Sequence, residues 1–316
     1  TKETPLTLNA SINATLMKGL TLNLYGGIDN HTSENKNFKP TVQLFGFNDD
    51  GTMSTPQPRE SSLHYEQSKT TMYVLNGQLN YNTVIAKKHN VNLMAGYEMR
   101  EYSWNWHSMD RKNLTVNLPE FPVGDPKTQL NDSKAHELAW MSYYGRLNYM
   151  FDNRYMFEFN LRYDGSSRLD KDNRWEQFPS VALAWNAKQE RFLRDVNFLS
   201  QLKLRVGYGE TGNQAVEPYS AYTELEATRD AQNHLALSTK RIGTPNLRWE
   251  RTQQWNGGID FGAFNNRLTV SLDVYHKLSK DVLLEVDAPH YTGFSSRLEN
   301  AAHILNKGFE ITIGAD

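Results

Sequence analysis

Apolar and polar residues alternate strictly along much of the chain. In residues 6–16 every even position is apolar, and every odd position between them is Thr, Asn or Ser. A period of two places the two kinds of side chain on opposite faces of a β-strand. The pattern restarts at Leu20, after Lys18 and Gly19. This predicts a hairpin with a tight glycine turn between the first two strands.

The same alternation predicts about eleven strands and no convincing helix. The strands are expected at residues 6–16, 20–29, 73–81, 91–100, 147–151, 155–163, 178–186, 201–209, 255–261, 268–274 and 309–313. Polar positions such as Asn160 and Ser271 are expected on one face. We expect the opposite, apolar face to remain outside any soluble core, and it includes Leu22, Phe159, Leu161 and Leu272.

The joints between these strands are alternately short and long. The long ones are roughly residues 31–67, 107–135, 167–174, 211–245 and 287–306. In an antiparallel up-and-down meander, alternate connections emerge at opposite edges of the sheet, so the long loops share one edge and the tight turns share the other. This asymmetry is typical of outer-membrane barrels, whereas a sandwich built from Greek keys mixes the two kinds of joint.

Composition favours a barrel. Aromatic residues make up 12% of the chain, although only 38% is hydrophobic and the mean hydropathy is -0.68. The longest apolar run, residues 181–185, is far shorter than the roughly 20 residues of a membrane-spanning helix. A barrel strand needs only about 9–11 residues, of which alternate ones face lipid. The predicted fold class is therefore all-β, an incomplete segment of a large transmembrane barrel. Tyr102, Trp104 and Trp106 precede a long loop, as expected of an interfacial aromatic girdle, although aromatic residues also favour strands in general.

The sequence carries no pattern that predicts a catalytic site, a metal site or a cofactor. It has no cysteine, no HExxH and no GxSxG, so thiolate sites, zinc-protease sites and hydrolase nucleophile elbows are not expected. Asp164, Asp170 and Asp172 lack the spacing of an EF-hand loop. A net charge of -2 with both signs interspersed makes nucleic acid an improbable partner.

Four ordered blocks resemble the SusC/RagA family of TonB-linked outer-membrane transporters. The first is Arg-Tyr-Asp-Gly-Ser-Ser-Arg at 162–168, followed by Phe-Pro-Ser at 178–180 and Ala-Trp at 184–185. The second runs from Leu-Lys-Leu-Arg at 202–205 through Thr-Gly-Asn-Gln at 211–214 to Pro-Tyr at 218–219. The others are Leu-Arg-Trp-Glu-Arg-Thr at 247–252 and Asn-Lys-Gly-Phe-Glu at 306–310.

Most residues of these blocks are predicted to serve folding. Gly207, Gly209 and Gly212 are expected where the chain bends out of a strand, and Asn213 is expected in a left-handed turn. The residues given a structural role are Asp164, Gly165, Ser166, Arg168, Pro179, Gly209, Gly212, Glu250 and Gly308.

The resemblance implies that residues 1–316 are part of a single TonB-dependent-receptor barrel domain. Both ends look cut, and the plug and the amino-terminal regions of the family are absent. It further implies import of a glycan or peptide across the outer membrane of a Gram-negative bacterium, in contact with outer-membrane lipid. The implied partners are a SusD-like surface lipoprotein and the TonB complex, the latter through the missing part.

Candidate substrate-binding residues lie in the predicted loops and at the strand ends. They are Asn213, Gln214, Tyr219, Trp249 and Tyr291. Amides and aromatic rings suit polar polymers, but the loop aromatics are equally suited to packing the loops against one another. Two alternatives for the whole protein remain: a passive porin or barrel adhesin, and a soluble cell-surface β-sandwich that binds glycans.

Overall fold

Eleven long strands form one antiparallel sheet in a computed structural model that describes residues 1–55, 57–214, 216–229, 232 and 234–316. In chain order the strands are β1 (Lys2–Met17), β2 (Leu20–Lys39), β3 (Val42–Leu44), β4 (Gln57–Arg59), β5 (Ser62–Ile85), β6 (His89–Lys112), β7 (Leu130–Phe151), β8 (Tyr155–Ser166), β9 (Trp175–Asn186), β10 (Leu199–Asn213), β11 (Glu224–Arg229), β12 (Leu235–Arg241), β13 (Glu250–Ala263), β14 (Leu268–Asp287) and β15 (Ser296–Ala315). The order in the large sheet is β1-β2-β5-β6-β7-β8-β9-β10-β13-β14-β15.

This order confirms the predicted meander. Each strand of the large sheet pairs with the strands that precede and follow it in that sheet, and β1 and β15 stand at opposite ends of the order. The two remaining pairs, β3 with β4 and β11 with β12, are separate two-stranded hairpins inside predicted loops. The sequence did not predict these hairpins, because neither has a sustained alternation of apolar and polar residues.

The strands are longer than predicted at the edge where the long loops lie. β2 continues to Lys39, and β5 begins at Ser62, so both ends of the predicted loop at 31–67 are strand. The physical reason is that residues 30–39 are almost all polar. Backbone pairing does not require apolar side chains, so the strands continue through these residues. The alternation by which a strand is recognised in sequence is absent there, because both faces are polar.

Within the described residues, short helical segments occupy three of the connections. A four-residue helix, α1 (Arg191–Arg194), and the 3₁₀ turn at Ala187–Gln189 lie in the joint between β9 and β10. The other 3₁₀ turns are Phe121–Val123, Pro126–Thr128 and His290–Thr292. Such short segments leave no helical periodicity to detect. Across the described ranges, no helix is long and apolar enough to cross a membrane.

The chain divides into two compact units. The first unit comprises residues 1–10, 27–74 and 101–137, and the second comprises 11–26, 75–100 and 138–316. The first unit has a small buried centre at Leu63 and Leu114, where the Leu114 amide donates to the Ser61 hydroxyl at 2.7 Å.

In the second unit the sheet has two unlike faces. Phe159, Leu161 and Leu272 are exposed, whereas the intervening Asn160 is half-buried and bonded to neighbouring polar groups. Leu22 is half-buried rather than exposed. None of these four apolar side chains is buried between two sheets, which contradicts the sandwich alternative. Burial on this face was expected only if the chain were a soluble two-layer protein.

Candidate functional site

The loops of the second unit are held by one small apolar core. Leu169 and Leu247 are fully buried, and they pack with Phe178, Val216 and Trp249. These residues come from the loop after β8, the first part of β9, the loop after β10 and the segment before β13. We call this cluster the loop core. It brings three of the sequence blocks together in space.

Trp249 lies inside the loop core. Its side chain is 5% exposed, its ring meets Phe178 edge-on at 5.5 Å between centroids, and its indole nitrogen donates to the Arg174 carbonyl at 3.0 Å. A ring held in this way packs the loops against each other. Because its ring is buried, Trp249 is not open to a substrate.

Ser166 and Arg168 connect the first block to the same core. The Arg168 amide donates to the Ser166 hydroxyl at 3.2 Å, and the Arg168 guanidinium donates to the Val216 carbonyl and lies 5.9 Å from the Trp140 ring. Asp164 accepts two hydrogen bonds from Arg162, at 2.7 and 2.9 Å. Through these contacts Asp164, Ser166 and Arg168 are bonded to neighbouring parts of the chain, and their structural role stays a prediction.

Three glycines of the blocks lie directly beneath aromatic rings. A Cβ atom at Gly165 would come within 2.8 Å of Trp175, one at Gly212 within 2.1 Å of Phe178, and one at Gly308 within 2.7 Å of Tyr275. Glycine at these positions lets a cross-strand ring lie against the backbone.

The predicted bends at Gly207, Gly209 and Gly212 are wrong, and so is the left-handed turn at Asn213. All four residues lie inside β10, in pairing with β13 as far as Asn213 opposite Glu250. Asn213 has no positive φ, and among the described residues of this loop Tyr219 has a left-handed backbone, at φ 62°. Glycine signals a close approach as well as a bend, and sequence alone does not separate the two.

The other predicted residues are placed as follows. Asn213 donates to Glu250, the first residue of β13, at 3.5 Å. Gln214 is half-buried, and its side-chain oxygen is buried with no hydrogen-bond partner among the described residues. Tyr219 is exposed, Tyr291 is 91% exposed, and Pro179 lies in β9 opposite Leu161. Tyr219 and Tyr291 are thus open at the surface, whereas Trp249 is not.

The polar face of the second unit holds an ion cluster that the sequence did not single out. Arg205 donates to both carboxylate oxygens of Asp260 at 2.9 Å and lies 3.0 Å from Asp273. Ser271 donates to Asp260 at 2.7 Å. The residues come from neighbouring strands β10, β13 and β14. An open cavity of about 1260 Å³ lies beside Arg205, and its lining includes apolar residues such as Met156 and Leu183 as well as the polar Asn148 and Glu158.

At the short joint after β9, Glu190 is the centre of a second cluster. It accepts hydrogen bonds from the Tyr155 hydroxyl at 2.6 Å, the Arg154 guanidinium at 3.0 Å and the Trp185 indole at 3.2 Å. The hydrogen bond from Tyr155, followed by those from Trp185 and Arg154, holds the pKa of Glu190 below its usual value. This cluster ties α1 and its flanking turn to the ends of β8 and β9.

In the first unit, three aromatic side chains of β6 share one face. Tyr102 and Trp104 both contact the ring of His136 on β7, at 5.7 and 5.0 Å between centroids, and Lys134 lies 5.6 Å from the Trp106 ring. The Trp106 indole donates to Glu66 on β5 at 3.4 Å. These rings therefore have polar and charged neighbours on β5 and β7, and their assignment to a girdle stays a prediction.

Over the part of the chain that the structure describes, no group of three or more His, Asp or Glu side chains is placed to hold a metal ion.

Comparison with known proteins identifies similar barrels. The family model for a TonB-dependent receptor-like β-barrel matches residues 4–316. TonB-dependent receptor SusC of Bacteroides thetaiotaomicron is 41% identical over 199 residues, which are 60% of this chain and 20% of that protein. TonB-dependent receptor P3 of Formosa agariphila is 30% identical over 302 residues, which are 94% of this chain and 29% of that protein.

Among solved structures, the RagAB peptide transporter has a TM-score of 0.85 and 27% identity, and the match covers 98% of this chain and 34% of that one. The chain therefore spans between about a fifth and about a third of the length of these relatives. The matches confirm the SusC/RagA resemblance that the four sequence blocks indicate.

Proposed function

Because this chain belongs to the TonB-dependent receptor-like β-barrel family, we propose that it forms part of a barrel that imports a bulky nutrient, a glycan or a peptide, across the outer membrane of a Gram-negative bacterium. The observation that carries the proposal is the antiparallel meander of eleven strands with one apolar and one polar face. An exposed apolar face is expected where lipid replaces water, and a polar face where a barrel encloses an aqueous lumen.

Within this proposal, residues 1–316 are one region of a single barrel domain. The polar face, with its cluster of Arg205, Asp260 and Asp273, lines the lumen. The apolar face, with Phe159, Leu161 and Leu272, contacts lipid. Barrels with 22 strands and plugged lumens are known for outer-membrane transporters, so the eleven strands of this chain supply about half of such a wall.

The wall performs no chemistry in this proposal. Loops braced by the loop core capture the substrate, and the exposed Asn213 and Tyr219, the half-buried Gln214 and the exposed Tyr291 are available for contacts with it. Energy delivered through TonB to a plug opens the path. A SusD-like surface lipoprotein is the proposed lid, and support comes from the similarity to SusC and to the RagAB peptide transporter.

A passive porin or barrel adhesin is the second candidate, and the family membership argues against it. The two functions differ in their need for energy. We expect the full-length protein to support growth on its substrate only in cells with intact TonB, and to lose that support when TonB is deleted. Growth that is equal with and without TonB would contradict the import proposal and favour the porin.

A further inference from the structure

We propose that the aromatic row of β6, formed by Tyr102, Trp104 and Trp106, is a saccharide-binding platform. The inference deepens the import proposal and rests on it, because it names the substrate class as a glycan. The row lies wholly within the first unit, where its rings and their polar neighbours belong to β2, β5, β6 and β7.

The spacing of the rings suits a chain-like ligand. Alternate residues of a strand share a face and are about 6.8 Å apart, so three such residues present rings over about 14 Å. All three side chains are half-buried, which leaves part of each ring exposed. His136 meets Tyr102 and Trp104 from the neighbouring strand and extends the row sideways.

Hydrogen-bonding groups border the rings on β5 and β2. Glu66 accepts from Trp106 at 3.4 Å and from Asn35 at 3.1 Å. His64 is bonded to Asp110 at 2.8 Å and lies 3.8 Å from Glu66. These groups leave further lone pairs and N–H bonds available, because a carboxylate offers about four acceptor positions and an amide offers two donors.

This combination fits a sugar chain better than a peptide or a lipid. A pyranose ring has an apolar face that stacks on an aromatic ring, and hydroxyls at its edge that both donate and accept. The aromatic row supplies the first requirement, and Glu66, Asn35 and Asp110 supply the second. A lipid surface would not accommodate these charged neighbours. A peptide that bound by adding a strand would need an open strand edge, whereas β6 lies between β5 and β7 in the sheet.

The test uses the full-length protein that contains this chain, purified in detergent. Binding is measured to arrays of linear neutral hexose oligomers with α-1,4, β-1,4 and β-1,3 linkages, and to arrays of short peptides. We expect at least one hexose series to bind. Trp104→Ala and Trp106→Ala are each expected to weaken that binding roughly three- to tenfold, and Trp104→Phe is expected to retain most of it.

His107→Ala is the matched control, because it removes a ring from the opposite face of the same strand, where His107 contacts Tyr65. It is expected to bind as the parent does. Heat-modifiable migration on gels checks assembly of every variant. If an alanine variant fails to assemble, saturation-transfer NMR on the parent protein takes its place, and transfer from aromatic protons to the sugar is expected.

Three outcomes would overturn the platform: binding of peptides alone, hexose binding that is unchanged in both tryptophan variants, or no hexose binding at all. None of these outcomes would contradict the import proposal if growth still depends on TonB. Loss of TonB dependence with intact sugar stacking would instead contradict import and leave the platform in place.

Discussion

Gly258 has no side chain, and this leaves room for the charged cluster on the polar face. A Cβ atom there would fall 2.5 Å from Asp273 Oδ1 and 2.8 Å from Arg205 Cζ. Gly258→Ala is therefore expected to displace the guanidinium and to lower the free energy of unfolding by about 1–3 kcal/mol, the usual range for an overpacked site. Denaturant titration of the full-length protein in lipid vesicles measures the change.

The neighbouring glycine supplies the control. A Cβ atom at Gly257 would meet only Val274, at the ordinary distance of 3.8 Å. Gly257→Ala is expected to leave the unfolding midpoint nearly unchanged. Equal losses for the two variants would show that strand glycine itself, and not the space beside Arg205, determines the effect.

The glycines also show how far single residues can be interpreted from sequence. Their presence in a strand predicts some special backbone requirement. The nature of that requirement depends on the cross-strand register, because Tyr275 covers Gly308 only in the pairing that sets them opposite each other. Register is a property of two strands, so the sequence of one strand does not contain it.

At the scale of elements, the loop core is expected to control the order of the loops around it. Trp249→Ala empties the centre of the cluster that Leu169, Phe178, Val216 and Leu247 form. Core tryptophan truncations lower stability by about 3–5 kcal/mol, and here we expect that loss in local opening of residues 167–174 and 244–249. Hydrogen exchange should be faster there and unchanged in the paired centre of β13.

Tyr291→Ala is the corresponding control, because Tyr291 is 91% exposed. It should leave exchange in residues 167–174 and 244–249 unaltered. Faster exchange in this control, or unchanged exchange in Trp249→Ala, would contradict the structural role assigned to the loop core.

The Glu190 cluster is expected to make the joint around α1 sensitive to acid. Hydrogen bonds, that of Tyr155 foremost, lower the pKa of Glu190. A carboxyl with a lowered folded pKa adds stability above its unfolded pKa, and that stability is lost as the pH falls through the folded value. Exchange protection of residues 191–196, corrected for intrinsic rates, should therefore decrease below about pH 4.3, the usual value for Glu.

Glu190→Gln tests the sign of this effect. It should show reduced protection at neutral pH and a flatter pH profile, since the amide does not ionise. If Glu190→Gln keeps the acid transition of the parent, a group other than Glu190 causes that transition.

Prediction of the strands from sequence succeeded where the two faces differ and failed where they do not. β8 and β9 were located nearly to their ends, because apolar and polar residues alternate through them. β6 extends to Lys112, twelve residues beyond its predicted end at Arg100. In that extension Tyr102, Trp104 and Trp106 alternate with Glu101, Ser103 and Asn105. A shared face for the three rings follows from this period of two, but the continuation of the strand to Lys112 does not.

At the scale of the whole molecule, the strand order was predictable and the candidate sites were not. A meander follows from local joints, each of which is read from a short stretch of sequence. The loop core and the Arg205 cluster each combine residues from separate strands or loops, whereas the three rings of the aromatic row lie on one strand. Arg205 and Asp273, for example, are 68 positions apart, and only the folded sheet places them in contact.

Paired substitutions on β14 test whether the apolar face of the sheet contacts lipid and the polar face lines the lumen. Leu272 lies opposite Ile259 and Ile311 on the apolar face, whereas Thr269 lies opposite Gly262 and Gly314. Leu272→Arg is expected to destabilise the folded barrel by about 2–4 kcal/mol if it lies near the bilayer midplane, and less near an interface. Thr269→Arg should have a much smaller effect, because it places the charge in water. Folding yields in vesicles measure both.

Cysteines at Asn160 and Ser271 extend the test, since both should react with a water-soluble thiol reagent and resist a lipid-partitioned one. Equal yields for the two arginine variants, together with the reverse labelling preference, would contradict the assignment of the apolar face to lipid and of the polar face to the lumen.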